Sequence, residues 1–100
     1  MITKAKAVQL AADHLKTLNA GCAEEFALAA DRMIERDQCY VCFYNTKRFL
    51  ETGDDRYRLA GNGPILVSKR DGYLHAYGSN RPVEVSIADF EREIAVRTEL

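Results

Sequence analysis

Residues 45–67, NTKRFLETGDDRYRLAGNGPILV, are dense in residues that direct the path of the backbone. Glycine and asparagine tolerate positive φ angles and proline fixes φ, so we predict a tight turn with positive φ over residues 61–63. A phosphate-binding loop needs a lysine and a hydroxyl residue opening a helix, whereas Pro64 opens a run of β-forming residues. We therefore predict a structural clasp that Phe49 and Leu59 hold against the core. Its remaining structural residues are Gly53, Gly61, Asn62, Gly63 and Pro64.

One helix is predicted near the N-terminus. Over residues 3–18, apolar side chains recur at the 3.6-residue period of an α-helix, and Thr3 can cap the first turn. The predicted apolar face consists of Val8, Ala11, Ala12, Leu15 and Leu18. This helix is expected to pack on the core.

A second helix is predicted over residues 86–98. Ser86 and Asp89 have the spacing of a capping box, and Val85 and Phe90 that of a hydrophobic staple. Within the helix, Ile87, Phe90 and Ile94 are expected to point one way, with an ion pair between Glu93 and Arg97 one turn apart.

Strands are predicted between the two helices. The runs CYVCFY at 39–44 and ILVSK at 65–69 are rich in β-branched and aromatic residues. A further strand, 73–77, follows after Arg70, Asp71 and Gly72, and an Asp-Gly step is typical of a β-hairpin. Residues 23–36 are ambiguous, because their propensity favours helix while the alternation of Phe26, Leu28 and Ala30 favours a strand. If they form a strand, residues 36–38 become the turn of an antiparallel hairpin.

Charge and cysteine content exclude several classes of protein. Fourteen basic and fifteen acidic residues give a net charge of −1, without the basic excess of a nucleic-acid-binding or peripheral membrane protein. The N-terminus lacks the apolar core of a secretion signal, and no apolar run is long enough to span a bilayer. Three cysteines without an export signal fit a reducing compartment, so we expect a cytoplasmic protein.

Cys39 and Cys42 have the C-x-x-C spacing of zinc and redox sites. In a strand, however, positions three apart point to opposite faces, so the two thiols cannot share a metal ion. Cys22, His14 and His75 lack metal-ligand spacing, and the sequence gives no sign that a thiol, a base and an orienting group meet. We expect no metal, no cofactor and no catalytic residues.

Two kinds of residue are candidates for contact with a protein partner. Acidic side chains concentrate in residues 24–37 and 51–55, and an acidic surface would match a basic partner. The alternating aromatic residues of the strand at 73–77 share one face, either as an exposed interface row or packed beneath the terminal helix. The predicted contact residues are Glu24, Glu25, Asp31, Glu35, Glu51, Asp54, Asp55, Tyr73, His75 and Tyr77.

A family resemblance rests mainly on two segments, FLETGD (Phe49 to Asp54) and LAGNGP (Leu59 to Pro64). The segments KRDGYLHAYGS and RPVE, which follow them, also take part in it. Over residues 1–95 the chain resembles the YrhB family, also described as the immunity protein 35 family of bacterial polymorphic toxin systems. The resemblance implies a single α+β domain over residues 1–100: an N-terminal helix, a small antiparallel sheet of about four strands and a C-terminal helix. It also favours a strand for residues 23–36. Family members commonly have tryptophan where this chain has Cys39.

The resemblance implies a binding protein rather than an enzyme. Family members are usually described as immunity proteins encoded beside a toxin, so we expect a protein that binds a cognate toxin and blocks its active site or substrate access. One relative is described as a heat-stable, chaperone-like protein, which makes a holdase for unfolded clients the alternative. A thiol enzyme using one of the three cysteines is the third hypothesis.

Overall fold

A computed structural model of the chain describes residues 1–19, 25–59 and 62–99. Within these ranges the elements are α1 (Lys4–Asn19), β1 (Phe26–Leu28), β2 (Ile34–Glu35), β3 (Cys39–Cys42), β4 (Tyr44–Thr46), α2 (Lys47–Thr52), β5 (Asn62–Ser68), β6 (Leu74–Gly78) and α3 (Val83–Glu99). Two 3-10 turns span Ala30–Arg32 and Asp55–Tyr57. The helices at either end and the antiparallel strands between them confirm the predicted α+β class.

The strands form two antiparallel sheets. Four strands pair in the order β2-β3-β5-β6, and β1 pairs with β4 alone. Tyr40 lies opposite Val67, and Val41 lies opposite Leu66, so β3 and β5 form the centre of the larger sheet. The hairpin from β5 to β6 confirms the prediction made from Asp71 and Gly72, whose φ is 81°.

The larger sheet is covered by a helix on each face. One set of alternating side chains packs with α1, and the other set packs with α3. The first set is Tyr40, Cys42, Ile65 and Val67, and the second is Cys39, Val41 and Leu66. Strands buried on both faces need apolar residues at every position, which explains the unbroken runs CYVC and ILV.

Helix α1 begins as predicted. The hydroxyl oxygen of Thr3 accepts a hydrogen bond from the backbone N–H of Lys6 at 3.1 Å, which satisfies one of the free donors of the first turn. The buried stripe consists of Ala7, Ala11 and Leu15. The buried stripe differs from the predicted face in that it includes Ala7, whereas Val8 and Ala12 are only half-buried.

The strand predicted for residues 23–36 is interrupted, which corrects that prediction. Ala30, expected to point inward, lies exposed in a 3-10 turn between β1 and β2. The predicted strand at 39–44 also breaks, at Phe43, whose carbonyl oxygen accepts from the N–H of Ala29 at 2.8 Å. Both segments therefore leave one sheet and enter the other beside this hydrogen bond. The hairpin turn at 36–38 is confirmed, since the N–H of Arg36 donates to the carbonyl of Cys39 at 2.8 Å.

Helix α3 begins three residues earlier than predicted. The carbonyl oxygen of Pro82 accepts from the N–H groups of Val85 and Ser86, so the helix has already started there. Ser86 is fully buried inside α3, and the predicted capping box is wrong. Proline has no N–H to leave unsatisfied at a helix start, which explains why the first turn forms beside Pro82. The inward face of Ile87, Phe90 and Ile94 is confirmed.

In the glycine-rich segment that leads into β5, glycine is required by a close contact between backbones rather than by a positive φ angle. Gly61 lies outside the described residues, and the positive-φ residues among those described are Gly53 and Gly72. At Gly63, a Cβ atom would collide with the backbone carbonyls of Tyr77 and Gly78 on β6. The expected positive φ is thus wrong for Gly63, which is required instead by the close approach of two strands at a bulge.

Within the described ranges, we find no helix with both the length and the apolar character needed to cross a lipid bilayer.

Candidate functional site

Residues 45–59, which we call the corner, connect β4 to the approach of β5 through α2 and the second 3-10 turn. The buried hydroxyl of Thr46 accepts from the N–H of Phe49 at 3.1 Å and donates to the carbonyl oxygen of Tyr57 at 2.5 Å. The amide oxygen of Asn45 accepts from the N–H of Thr46 at 2.8 Å and of Leu59 at 2.7 Å. Phe49 and Leu59 are half-buried, so polar bonds rather than deep apolar anchoring close the corner.

Two residues of the FLETGD segment turn the chain within the corner. Helix α2 ends at Gly53, whose φ is 71° and whose N–H donates to the carbonyl oxygen of Phe49 at 2.7 Å. Glycine adopts this left-handed conformation without the Cβ clash of other residues. Asp54 then accepts from the N–H of Arg56 at 3.0 Å and holds its guanidinium at 2.7 Å. The hydrogen bonds from Arg56 lower the pKa of Asp54.

The corner gathers four of the acidic residues predicted for partner contact. Glu25 lies 3.8 Å from the Nζ of Lys47, and its carbonyl oxygen accepts from the Lys47 N–H. Asp54 is occupied by Arg56. Glu51 and Asp55 are exposed, and neither forms an ion pair within the described part of the chain. The corner therefore presents two carboxylates that have no cation of their own.

The other predicted acidic residues lie elsewhere. Because Phe26 pairs with Thr46 and Leu28 with Tyr44, the 3-10 turn after β1 lies at the opposite end of this pair from the corner. Asp31 is exposed in that turn. Glu35 lies beyond it on β2, and Glu24 falls outside the described residues.

Glu35 is already occupied within the chain. Its carboxylate oxygen lies 2.8 Å from the Nζ of Lys69, whose side chain is only 13% exposed and lies over the ring of Tyr40. The hydrogen bond from Lys69 lowers the pKa of Glu35. This pair lines an open polar groove of about 700 Å³.

A second ion pair lines the same groove and joins the β2–β3 hairpin to α3. Arg36 donates through two nitrogens to the two carboxylate oxygens of Glu91, at 3.0 and 3.1 Å. Such bidentate geometry is the strongest form of this ion pair. The pair joins residues that are 55 positions apart, so no local pattern in the sequence indicated it.

The aromatic residues of the fourth predicted strand converge on one carboxylate of α3. Tyr73 donates to Glu93 at 2.5 Å, Tyr77 donates to it at 3.4 Å, and Nδ1 of His75 lies 3.2 Å from it. The ring of Tyr73 stacks on Phe90 with 6.0 Å between centroids. Of the two arrangements expected for this row, the structure has the one in which the rings pack beneath the terminal helix.

Burial and the shared carboxylate set the acid–base behaviour of this cluster. Burial raises the pKa of Tyr77 to about 12. The hydrogen bond from Tyr73 lowers the pKa of Glu93, because it favours the ionised carboxylate. Arg97, expected to pair with Glu93, instead lies 3.8 Å above the ring of Tyr73. The cluster is half-buried, and it fastens α3 to the edge strand β6.

The two described cysteines are separated as predicted. Cys39 packs on the α3 side of the sheet and Cys42 on the α1 side, and both thiols are free and buried. Burial raises the pKa of each thiol to about 11, which leaves almost no reactive thiolate at neutral pH. Cys22 lies outside the described residues. Among the residues described, no three His, Cys, Asp or Glu side chains are grouped closely enough to hold a metal ion.

Sequence reasoning missed the residues that organise these surfaces. Asn45 and Thr46 precede a short helical run, and a threonine N-cap followed by polar residues is a findable helix start. Helix α2 itself has six residues, too few for a helical period to appear. Long-range partners such as Glu91 carry no local signal at all.

The comparisons with known proteins agree with the resemblance. The family model described as immunity protein 35 matches residues 5–92 of this chain. The protein called "Uncharacterized protein YrhB" of Escherichia coli (strain K12) is 44% identical over 52 residues, which make up 52% of this chain and 54% of the relative. The match thus spans about half the length of that curated relative. No solved structure matches the chain. With 5–92 matched by the family model, the chain belongs to the immunity protein 35 family.

Proposed function

We propose that this chain is an immunity protein that binds a cognate bacterial toxin and neutralises it by covering the toxin's active site or the approach of its substrate. The observation that carries the proposal is the family match over residues 5–92, which takes in every described strand and most of both long helices. The proposed action is binding rather than catalysis. The buried thiols of Cys39 and Cys42 support this, since neither is available as a nucleophile.

The contact surface in this proposal includes the corner. Glu51 and Asp55 are exposed carboxylates without an ion pair in the described chain, so a basic partner can pair with them without first breaking an internal bond. Glu35 and the Tyr73, His75 and Tyr77 row remain proposed contacts, although each would have to exchange an internal partner. The corner is therefore the first place to test.

We propose that the encounter takes place in the cytoplasm, where three cysteines remain reduced. The alternative function, a holdase for unfolded clients, gains no support from the comparisons or from the described surface.

Co-expression with a toxin domain, sought in the reading frames next to this gene, tests the function. Bacteria that express the toxin alone should stop growing, and bacteria that also express this chain should grow. The two proteins should elute as one complex from a size-exclusion column, and the complex should lack toxin activity. Continued killing together with separate elution of the two proteins would refute the proposal.

A charge reversal tests the contribution of the corner. The double variant Glu51→Lys and Asp55→Lys should weaken the complex by at least about tenfold, because like charges would face each other. Asp13→Lys together with Glu84→Lys reverses two charges at exposed positions of α1 and α3, serves as the matched control and should bind as the wild type does. If the double variant also binds like the wild type, the carboxylates of the corner are not contacts.

A further inference from the structure

Specific hydrogen bonds fix the backbone of the corner, although the corner contributes few side chains to the core. Neither α2 nor the 3-10 turn after it contains a buried residue. Even so, Asn45, Thr46 and Gly53 fix the backbone through specific hydrogen bonds. Leu50 is left 38% exposed on the same helix. A segment fixed this firmly at the surface of a scaffold suits binding, since binding residues concentrate on such segments.

Arginine guanidinium groups lie over the two aromatic rings of the corner. The guanidinium groups of Arg48 and Arg56 lie 5.1 and 5.6 Å from the ring centroid of Tyr57. The guanidinium of Arg58 lies 6.0 Å from the ring centroid of Phe49. These distances are within the range of cation–π attraction. This attraction favours a restricted set of positions for long, exposed side chains before any partner arrives, which lowers the entropic cost of binding.

The arginines differ in how many of their donors are still available. Arg56 already donates through Nε and Nη2 to Asp54. No carboxylate in the described ranges forms an ion pair with Arg58, although its side chain is exposed. The planar fork of N–H donors on the Arg58 guanidinium therefore has no carboxylate partner among the described residues, and this fork fits a carboxylate in a bidentate manner.

We propose that this face of the corner, built from Phe49, Tyr57 and the arginines that lie over their rings, binds carboxylates presented by a protein partner. Arg58 is the principal contact. Arginine and tyrosine are the residues in which binding energy most often concentrates at protein interfaces. The residues predicted from the sequence at this corner were acidic, so the inference adds a second charge sign to the same surface. It rests on the proposed function only in taking the toxin to be that partner.

A protein partner fits the corner better than a nucleic acid does. Residues 45–59 contain four basic and three acidic side chains, and the whole chain has a net charge of −1. A nucleic acid presents phosphates of one sign, which the exposed carboxylates of Glu51 and Asp55 would repel. A protein surface can offer carboxylates to Arg58 and basic groups to Glu51 within the same interface.

A titration that does not involve the toxin tests the proposal. Isotope-labelled protein would be titrated with a peptide that contains both glutamate and lysine residues, and separately with a single-stranded oligonucleotide that carries the same number of anionic groups, while amide chemical shifts are followed. We expect the peptide to move the amide signals of Tyr57 and Arg58, and to move them more than the oligonucleotide does. Absence of peptide-induced shifts at the corner would overturn the proposal. A stronger response to the oligonucleotide would overturn it in favour of nucleic acid.

Variants of Arg58 complete the test. Arg58→Glu should abolish the peptide-induced shifts, and Arg58→Gln, which keeps the side-chain length, should reduce them. Arg70→Glu is the matched control, because it makes the same charge change at the exposed turn at the far end of β5. Against the toxin, Arg58→Glu should weaken binding at least about tenfold and Arg70→Glu should not. Toxin binding by the wild type together with unchanged binding by Arg58→Glu would refute this inference and leave the immunity function standing.

Discussion

Replacing Thr46 with valine tests whether polar bonds hold the corner in place. The side chain is 4% exposed, and valine keeps its shape while removing the hydroxyl. The variant therefore loses the N-cap of α2 and the hydrogen bond to the carbonyl oxygen of Tyr57. It changes no charge and leaves no cavity, so its effect comes mainly from the loss of these two bonds.

The expected cost follows from the two bonds. Loss of a threonine N-cap costs about 1 kcal/mol. Leaving the part-buried carbonyl of Tyr57 without its donor costs about 1–3 kcal/mol. The added methyl group returns less than about 1 kcal/mol through burial. We therefore expect Thr46→Val to lower the stability of the corner by about 2 kcal/mol.

Amide hydrogen exchange measures this cost locally, and urea unfolding measures it globally. Because α2 has no buried residue, we expect the corner to open while the sheet remains folded. The amides of Phe49 and Leu59 should then exchange about 30-fold faster, since each 1.4 kcal/mol corresponds to a factor of ten.

Thr17→Val is the matched control for this experiment. It removes the same hydroxyl at an exposed position of α1, where the hydroxyl donates to the carbonyl oxygen of His14 at 2.6 Å. It should cost less than about 0.5 kcal/mol. Equal costs for the two variants, or unchanged exchange of the Phe49 amide in Thr46→Val, would show that polar bonds do not hold the corner.

Three other predictions concern the rest of the molecule. Gly63→Ala should lower the free energy of urea unfolding by about 3 kcal/mol because its Cβ meets two carbonyls of β6, whereas Gly53→Ala, with open space around it, should cost about 1 kcal/mol. The folded-state pKa of Glu93 lies below its ordinary value of 4.5, so its contribution to stability is present above pH 4.5 and is lost as the pH falls through the folded pKa. The free energy of unfolding should therefore fall less steeply with acid in Glu93→Gln than in the wild type. Cys39 and Cys42 should resist alkylation at neutral pH in a variant without the third cysteine, and should react at the rate of free cysteine once unfolded.

The elements that could be predicted from the sequence are those fixed by local patterns. Helix α1 follows from its helical period, and the β5–β6 hairpin follows from the Asp71-Gly72 step. The opposite orientation of Cys39 and Cys42 follows from strand geometry alone. The segment at 23–36 was different, because the Ala29–Phe43 contact that breaks it joins two segments through tertiary pairing.

The start of α3 shows how two valid local signals can compete. Ser86 and Asp89 match a capping box, but Pro82 lies four residues upstream and begins the helix first. Once the helix has begun, Ser86 becomes an interior position and is buried against the sheet. A serine followed by an acidic residue therefore marks a helix start only where nothing upstream has already started the helix.

The candidate contacts could be located only in part, because a sequence shows which side chains are charged and not which of them are already paired. In the sequence, Glu35 and Asp54 cannot be told apart from Glu51 as candidate contacts. In the folded chain, however, each forms an ion pair with a basic side chain. In the sequence, Arg48 and Arg58 enter only the net charge, and their positions over the rings of Tyr57 and Phe49 appear only in the fold.

In the corner, the determinants of shape and of recognition are different residues. Thr46, Gly53 and Asn45 fix its backbone, and each acts through backbone groups that no partner needs to touch. The side chains of Arg58 and Glu51 are exposed and form no hydrogen bond or ion pair with the residues that the structure describes. A change in the first group should therefore alter folding and binding together, whereas a change in the second should alter binding alone. This separation would allow one scaffold to be fitted to partners of different charge pattern by substitutions on the outer face, without loss of stability.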